Sequence, residues 1–147
     1  MEIERKYLVS SLPSDLDSYT CLSIEQAYIC TEPVIRIRRE NDIFYLTVKG
    51  SGMLSREELN LPLTKEAYRQ LLPKAEGTVI TKKRYLIPIN EQLKVELDVF
   101  SGRWSGLVIA EVEFPDQSAA DSFQPLSWFE KEVTFDPHYH NSWLSCH

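Results

Sequence analysis

Ionisable residues recur at every second position along several short segments of this chain. Successive side chains of a β-strand alternate between its two faces, so residues two apart share one face. Collected that way, one face carries Glu2, Glu4 and Lys6, then Arg36 and Arg38, Lys49, Arg56 and Glu58, and Lys82 and Arg84. The later segments add Glu96 and Asp98, Glu111 and Glu113, and Glu132. The opposite parity is largely apolar, with Ile35, Ile37, Leu46, Val48, Val95, Leu97, Val112 and Phe114. A sheet with one face on a core and the other in water would explain the alternation alone. Two features go further. Ionisable residues are not intrinsically favoured in strands, yet they fill these positions almost without interruption. Their signs are also sorted, with bases mostly in the middle segments and acids mostly in the first and late ones.

Sorted charges of this kind suit the inside of a closed sheet. An eight-stranded barrel brings residues of distant strands face to face across its interior. So many enclosed charges would be costly unless kept wet and matched to a ligand. The matching ligand is a polyphosphate with divalent cations. Lys and Arg hold phosphate oxygens, Arg through planar bidentate hydrogen bonds. Clustered carboxylates supply the oxygen ligands that Mg2+ or Mn2+ prefers.

The elements that must position these residues are short strands, read at Met1 to Val9, Ile24 to Thr31, Val34 to Glu40, Ile43 to Lys49, Ser55 to Leu61, Val79 to Pro88, Leu93 to Phe100, Leu107 to Phe114 and Lys131 to Phe135. Asn41-Asp42 and Gly50-Ser51-Gly52 read as tight links between sequential strands, which implies antiparallel pairing. Thr64 is placed to cap a helix over Lys65 to Leu72, stopped by Pro73. A second helix is expected over Ser118 to Phe123, capped by Ser118, and a third after Pro137. With 147 residues, no internal repeat and no linker, residues 1–147 are expected to form a single domain.

A net charge of -6 excludes a surface that attracts nucleic acid or anionic lipid as a whole. No apolar run reaches membrane-spanning length and the N-terminus is charged from its second residue, so a cytoplasmic protein with no membrane partner is expected. Cys21, Cys30 and Cys146 show neither metal spacing nor an even count, and reduced thiols are expected.

The ordered segments resemble the CYTH family, also called triphosphate tunnel metalloenzymes. Glu2-Ile3-Glu4-Arg5-Lys6 matches its ExExK signature. Arg36-Ile37-Arg38, Thr47-Val48-Lys49-Gly50, Ser55-Arg56 with Glu58, Lys82-Lys83-Arg84-Tyr85, Glu96-Leu97-Asp98, Glu111-Val112-Glu113-Phe114 and Glu132-Val133-Thr134 follow in the family's order. The resemblance implies a closed eight-stranded antiparallel barrel with a few short outer helices. In it, Lys6, Arg36, Arg38, Lys49, Arg56, Lys82 and Arg84 would bind phosphate. Glu2, Glu4, Asp98, Glu111 and Glu113 would bind Mg2+ or Mn2+, with Glu58, Glu96 and Glu132 as additional tunnel acids. Two departures stand out: Asn60 occupies the place of an expected acid, and His138-Tyr139-His140-Asn141 stands where the family shows a basic residue, Tyr, Lys and Asn.

The implied activity is metal-dependent hydrolysis of the terminal phosphate of a linear triphosphate, inorganic tripolyphosphate first. A class IV adenylate cyclase and a thiamine or nucleoside triphosphatase would use the same walls, and a non-catalytic polyphosphate- or nucleotide-binding module is the reading from another class. Glu4, and a Tyr28–Lys82 pair meeting across the lumen, are the catalytic candidates; a lysine amid other cations loses its proton more readily. His138 and His140 read as surface residues without metal. Trp104, Trp128, Trp143, Phe123 and Phe129 read as packing. The apolar outer face leaves room for a homodimer.

Overall fold

The computed structural model describes the whole chain, Met1–His147. Nine strands form it: β1 (Glu2–Leu8), β2 (Thr20–Thr31), β3 (Val34–Glu40), β4 (Ile43–Lys49), β5 (Ser55–Arg56), β6 (Glu58–Leu63), β7 (Glu76–Pro88), β8 (Lys94–Phe100) and β9 (Val108–Glu113). All neighbours pair antiparallel in the order β5-β1-β9-β8-β7-β2-β3-β4-β6. The two ends of that order are one stretch of chain broken only at Glu57. Its first half pairs with β1 through Glu2↔Arg56, and its second half pairs with β4 through Lys49↔Glu58. The sheet therefore closes into a barrel of eight walls, and closure removes the exposed edges an open sheet would carry.

Register follows from the turns. Asn41, at φ 52°, takes the left-handed conformation that lets β3 fold back on β4 with Glu40 opposite Ile43. Asn is among the few side chains that tolerate this region. Gly52, at φ +122°, lies against Ser55 O, where a Cβ would collide, so the link into β5 needs glycine. Because directly opposed residues share a face, the pairs Glu4↔Glu113, Lys6↔Glu111, Glu96↔Glu111, Arg84↔Asp98 and Arg36↔Thr47 put one parity inside the barrel all the way round.

The outer face is apolar and is covered by short helices. α1 (Lys65–Leu71) is capped by Thr64, whose Oγ1 accepts from Ala67 N at 3.1 Å, and it lays Tyr68 on Ala27 and Ile37. α2 (Gln117–Ser122) and the segment after it pack Ala120, Phe123 and Phe129 on Ile3, Tyr7, Val112 and Phe114. α3 (Asn141–Cys146) closes one end of the barrel: its Leu144 joins Tyr28, Val34, Ile80, Phe100 and Ile109 in an apolar plug. A β-bulge after Tyr28 shifts the pairing of β2 where this plug begins. Part of the outer side of β6 stays bare, with Leu59 and Leu61 exposed.

Three sequence expectations need correction. Residues 131–135 are not a barrel strand. They contribute one bridge, Tyr7↔Glu132, and backbone bonds such as Val133 N to Lys6 O at 2.8 Å and Leu8 N to Lys131 O at 2.9 Å, so they cover the stretch of the β1 edge beyond the two residues that pair with β5, without forming a strand of their own. The cap of α2 is Asp116, whose carboxylate accepts from Ala119 N at 2.7 Å, instead of Ser118. The chain after Pro137 first makes a single 3-10 turn, Pro137–Tyr139, and only then the helix.

Candidate active site

The inward parity lines a cavity of about 380 Å³. Its walls hold six cations, Lys6, Arg36, Arg38, Lys49, Arg56 and Arg84, and seven carboxylates, Glu2, Glu4, Glu40, Glu58, Glu96, Glu111 and Glu113. The charges meet at two seams. Between β7 and β8, Arg84 donates to Asp98 through Nε at 2.7 Å and Nη2 at 2.8 Å, and to Glu96 at 2.9 Å. Between β1, β4 and β5, Lys49 bonds Glu2 at 3.0 Å and lies 3.4 Å from Glu58, while Arg56 also reaches Glu2 at 3.4 Å. Lys6 sits within the acidic wall, 3.6 Å from Glu4 and 3.7 Å from Glu111.

Elsewhere on the acidic wall, like charges face one another. Burial and Glu111 raise the Glu4 carboxyl, and burial likewise raises Glu96 against the pull of Arg84. Glu113, directly opposite Glu4, is pushed up to about 7 by burial and by Glu2, Glu96 and Glu4. Glu111 escapes this: burial works against its ionised form, but Lys6 and Arg84 outweigh it and hold the carboxyl well below the usual range. A wall of carboxylates that raise one another is short of positive charge, which is the condition under which divalent cations bind. No three acidic, histidine or cysteine side chains converge on one point. An ion there would take one or two carboxylates and complete its shell with water and substrate oxygens, as Mg2+ ordinarily does.

The basic wall is β3. Arg38 donates through Nε to Gln26 Oε1 at 3.0 Å and through Nη1 to Glu40 at 3.2 Å, and Glu40 is held in turn by the Tyr45 hydroxyl at 2.6 Å. Burial, then Arg36 and Arg84, lower the Arg38 guanidinium to about 10. Arg36 differs from every other lumen cation: no carboxylate lies within 4 Å of it. Its Nη2 donates to the Thr47 hydroxyl at 3.2 Å, and its buried Nε has no partner.

Placement of the remaining expected residues is mixed. Lys82 is fully buried beneath the cavity wall, with Nζ on Asp98 at 2.7 Å and on Asn141 Oδ1 at 3.3 Å. Burial lowers it to about 7 despite Asp98. Tyr28 lines the cavity as part of the apolar plug, and no hydrogen bond joins it to Lys82. The expected pair does not meet, because Asp98 on the neighbouring strand takes the ammonium. Asp98 is fully buried between Lys82 and Arg84 and outside the cavity lining. Glu132 is corrected outright: it stands opposite outward-facing Tyr7 and binds Arg5 at 2.7 and 2.9 Å on the outer surface. The segment bonds to β1 in the register that sets Glu132 opposite outward Tyr7 and Val133 N on Lys6 O, and Thr134 Oγ1, which accepts from Lys6 N at 3.0 Å, donates to Glu132 at 2.6 Å.

Other residues join the site. Glu40 and Tyr45 line the cavity and share parity with Arg38 and Lys49, the rule that finds them; Thr47 and Gln26, buried behind the lining, hold Arg36 and Arg38. His140, Asn141 and Ser142 arrive on the C-terminal segment and carry no periodic signal. His140 is buried on the lumen, not on the surface, and burial together with Lys6 lowers it to about 4, so it is neutral at pH 7. His138 is exposed and bonds Asp136.

The sequence profile of the CYTH domain matches residues 1–139. The chain belongs to the CYTH domain family. An inorganic triphosphatase of Acetivibrio thermocellus is 40% identical over 149 residues, covering 96% of this chain and 90% of that protein. An inorganic triphosphatase of Nitrosomonas europaea is 35% identical over 147 residues, covering 98% and 96%. Among solved CYTH structures, a crystal structure of an inorganic triphosphatase superposes at a TM-score of 0.73 with 32% identity, covering 100% of this chain and 95% of that one. A Hippeastrum protein at 14% identity, covering 82% and 83%, shares the fold at a TM-score of 0.60.

Proposed function

We propose that residues 1–147 form one CYTH domain that hydrolyses the terminal phosphate of a linear triphosphate, with inorganic tripolyphosphate as the preferred substrate. The observation that carries this reading is a polar lumen with its charges split into two walls. The cavity lining is almost wholly charged or polar, with Tyr28, Val34 and Tyr45 as its few apolar or aromatic members, which suits a chain of phosphates. Near-full-length likeness to two inorganic triphosphatases supports the choice among triphosphates.

Arg36 and Arg38 bind phosphoryl oxygens from β3, and Lys6, Lys49, Arg56 and Arg84 neutralise the remaining charge. Glu2, Glu4, Glu111 and Glu113, with Glu96 beside them, would hold Mg2+ or Mn2+, which when bound would supply charge neutralisation on the transferred group and a more acidic water. The apolar plug of Tyr28, Phe100 and Ile109 excludes bulk water from one end and confines the substrate to the charged section. Lys82 Nζ holds a proton that it gives up near neutral pH. Its contact with Asn141, which lines the cavity, ties it to the lumen wall. Lys82 is thus a positioning group that acts from beneath the wall. Asp98 keeps it and Arg84 in place; direct ion binding by Asp98 would require breaking both pairs.

The test is a release assay offering tripolyphosphate, ATP, thiamine triphosphate and pyrophosphate with Mg2+ or Mn2+. The expected result is phosphate and pyrophosphate in equal amounts from tripolyphosphate, with slower turnover of the organic triphosphates. Cyclic AMP from ATP without phosphate release from tripolyphosphate would replace hydrolysis by cyclisation. Binding without any turnover would leave a non-catalytic module.

A further inference from the structure

Arg36 is held in place by uncharged groups, in a chain of hydrogen bonds that runs one way. Its Nη2 donates to Thr47 Oγ1 at 3.2 Å. The Thr47 hydroxyl gives its single proton to Asn60 Oδ1 at 2.6 Å, which leaves its lone pairs toward the arginine. Asn60 Nδ2 then donates to Glu58 Oε1 at 2.7 Å, and the other oxygen of Glu58 lies 3.4 Å from Lys49. Position 60 must accept on one side and donate on the other, which an amide does and a carboxylate cannot.

The arrangement has an electrostatic result. Glu58 is tied to Asn60 and Lys49, so the nearest acid on this wall does not reach Arg36. A buried guanidinium with an unpaired Nε and no counter-charge is costly in an empty protein. The same group is satisfied when an anion supplies the missing acceptors.

We propose that Asn60 is a positioning residue that sets the affinity of the lumen for triphosphate: through Thr47 it fixes the Arg36 guanidinium, and by holding Glu58 it keeps carboxylate off that arginine. The inference rests on the triphosphate reading of the cavity. It assigns to an uncharged amide the task of keeping one cation free for substrate.

Asn60→Asp tests it, because the change is isosteric and the position is exposed. An aspartate there cannot donate to Glu58, repels it, and brings a carboxylate toward Thr47 and Arg36. The expected result is a KM for tripolyphosphate raised about tenfold, the worth of roughly one charge-assisted hydrogen bond, with kcat within about twofold. Thr47→Val should raise KM in the same direction, and Thr47→Ser, which restores the hydroxyl, should recover most of the loss. A KM for Asn60→Asp equal to or below the unmutated value, or a loss confined to kcat, would overturn the proposal. Should the unmutated protein not turn over tripolyphosphate, the triphosphatase reading falls. The proposal is then judged on the rise in melting temperature that tripolyphosphate produces in EDTA. A rise lost in Asn60→Asp supports it, and equal rises overturn it.

Discussion

Arg36 on β3 and Arg84 on β7 are buried guanidiniums in the wall of one cavity, with β2 between their strands, and the protein surrounds them in opposite ways. Arg84 is bidentate to Asp98, bonded to Glu96 and 3.7 Å from Glu111, and these acids raise its pKa well above the ordinary value against the effect of burial. Arg36 meets a threonine hydroxyl and no acid. The contrast separates two uses of charge. At the β7/β8 seam the charges satisfy one another and hold the wall together. On β3 a cation is kept uncompensated, so that an incoming anion gains what the empty protein lacks.

The largest expected effect tests whether the acidic wall works through ions at all. Turnover of tripolyphosphate should fall by about a thousandfold or more with excess EDTA and return with Mg2+ or Mn2+; full turnover in EDTA would end the metal assignment of Glu2, Glu4, Glu111 and Glu113. Next come the two arginines themselves. Arg84→Met should destabilise the protein by about 3–5 kcal/mol, since it strands buried Asp98 with one partner fewer, as measured by denaturant unfolding. Arg36→Met should leave stability unchanged or raise it while lowering kcat/KM about a hundredfold, the worth of roughly two charge-assisted hydrogen bonds. Matching losses of stability in both variants would erase the distinction.

A smaller effect concerns pH. Glu113 titrates at about 7 in the folded chain against an ordinary 4.5, so between those values the folded state binds more protons than the unfolded one. In the metal-free protein Glu113 therefore contributes a loss of stability as pH rises from 4.5 to 7, while His140, lowered to about 4 from an ordinary 6.5, contributes a gain over much of the same range. The Glu113 share is read as a difference: Glu113→Gln should gain stability relative to the unmutated protein as pH rises through this range, and Mg2+ should shrink that difference by supplying the missing positive charge. A difference that stays constant over this range would contradict the placement of Glu113 among like charges. The smallest effect is Tyr45→Phe, which frees Glu40 to bond Arg38 more fully and should raise KM by only about two- to threefold.

Much of this was legible in the residues, for reasons that also mark the limit. Parity placed Glu2, Glu4, Lys6, Arg36, Arg38, Lys49, Arg56, Glu58, Arg84, Glu96, Glu111 and Glu113 on the cavity, because period-two alternation is fixed by backbone geometry once a strand is recognised. The same rule failed at Glu132, where the backbone pairs with β1 but does not continue the sheet. Contacts between neighbouring strands were beyond it. That Lys82 falls to Asp98 and not to Tyr28 depends on the register of β7 with β8, and the arrival of His140 and Asn141 depends on how α3 packs against the plug. Asn60 was visible as a departure from the family pattern, but its consequence needed the hydroxyl of Thr47 beside it.

The central claim is that Arg36 is the uncompensated cation on which triphosphate lands, and it can be read without catalysis. Melting temperatures of the unmutated protein and of Arg36→Met, each with and without tripolyphosphate in EDTA, compare binding to the basic wall alone. The account predicts a concentration-dependent rise for the unmutated protein and little or none for Arg36→Met. An equal rise in both would contradict it.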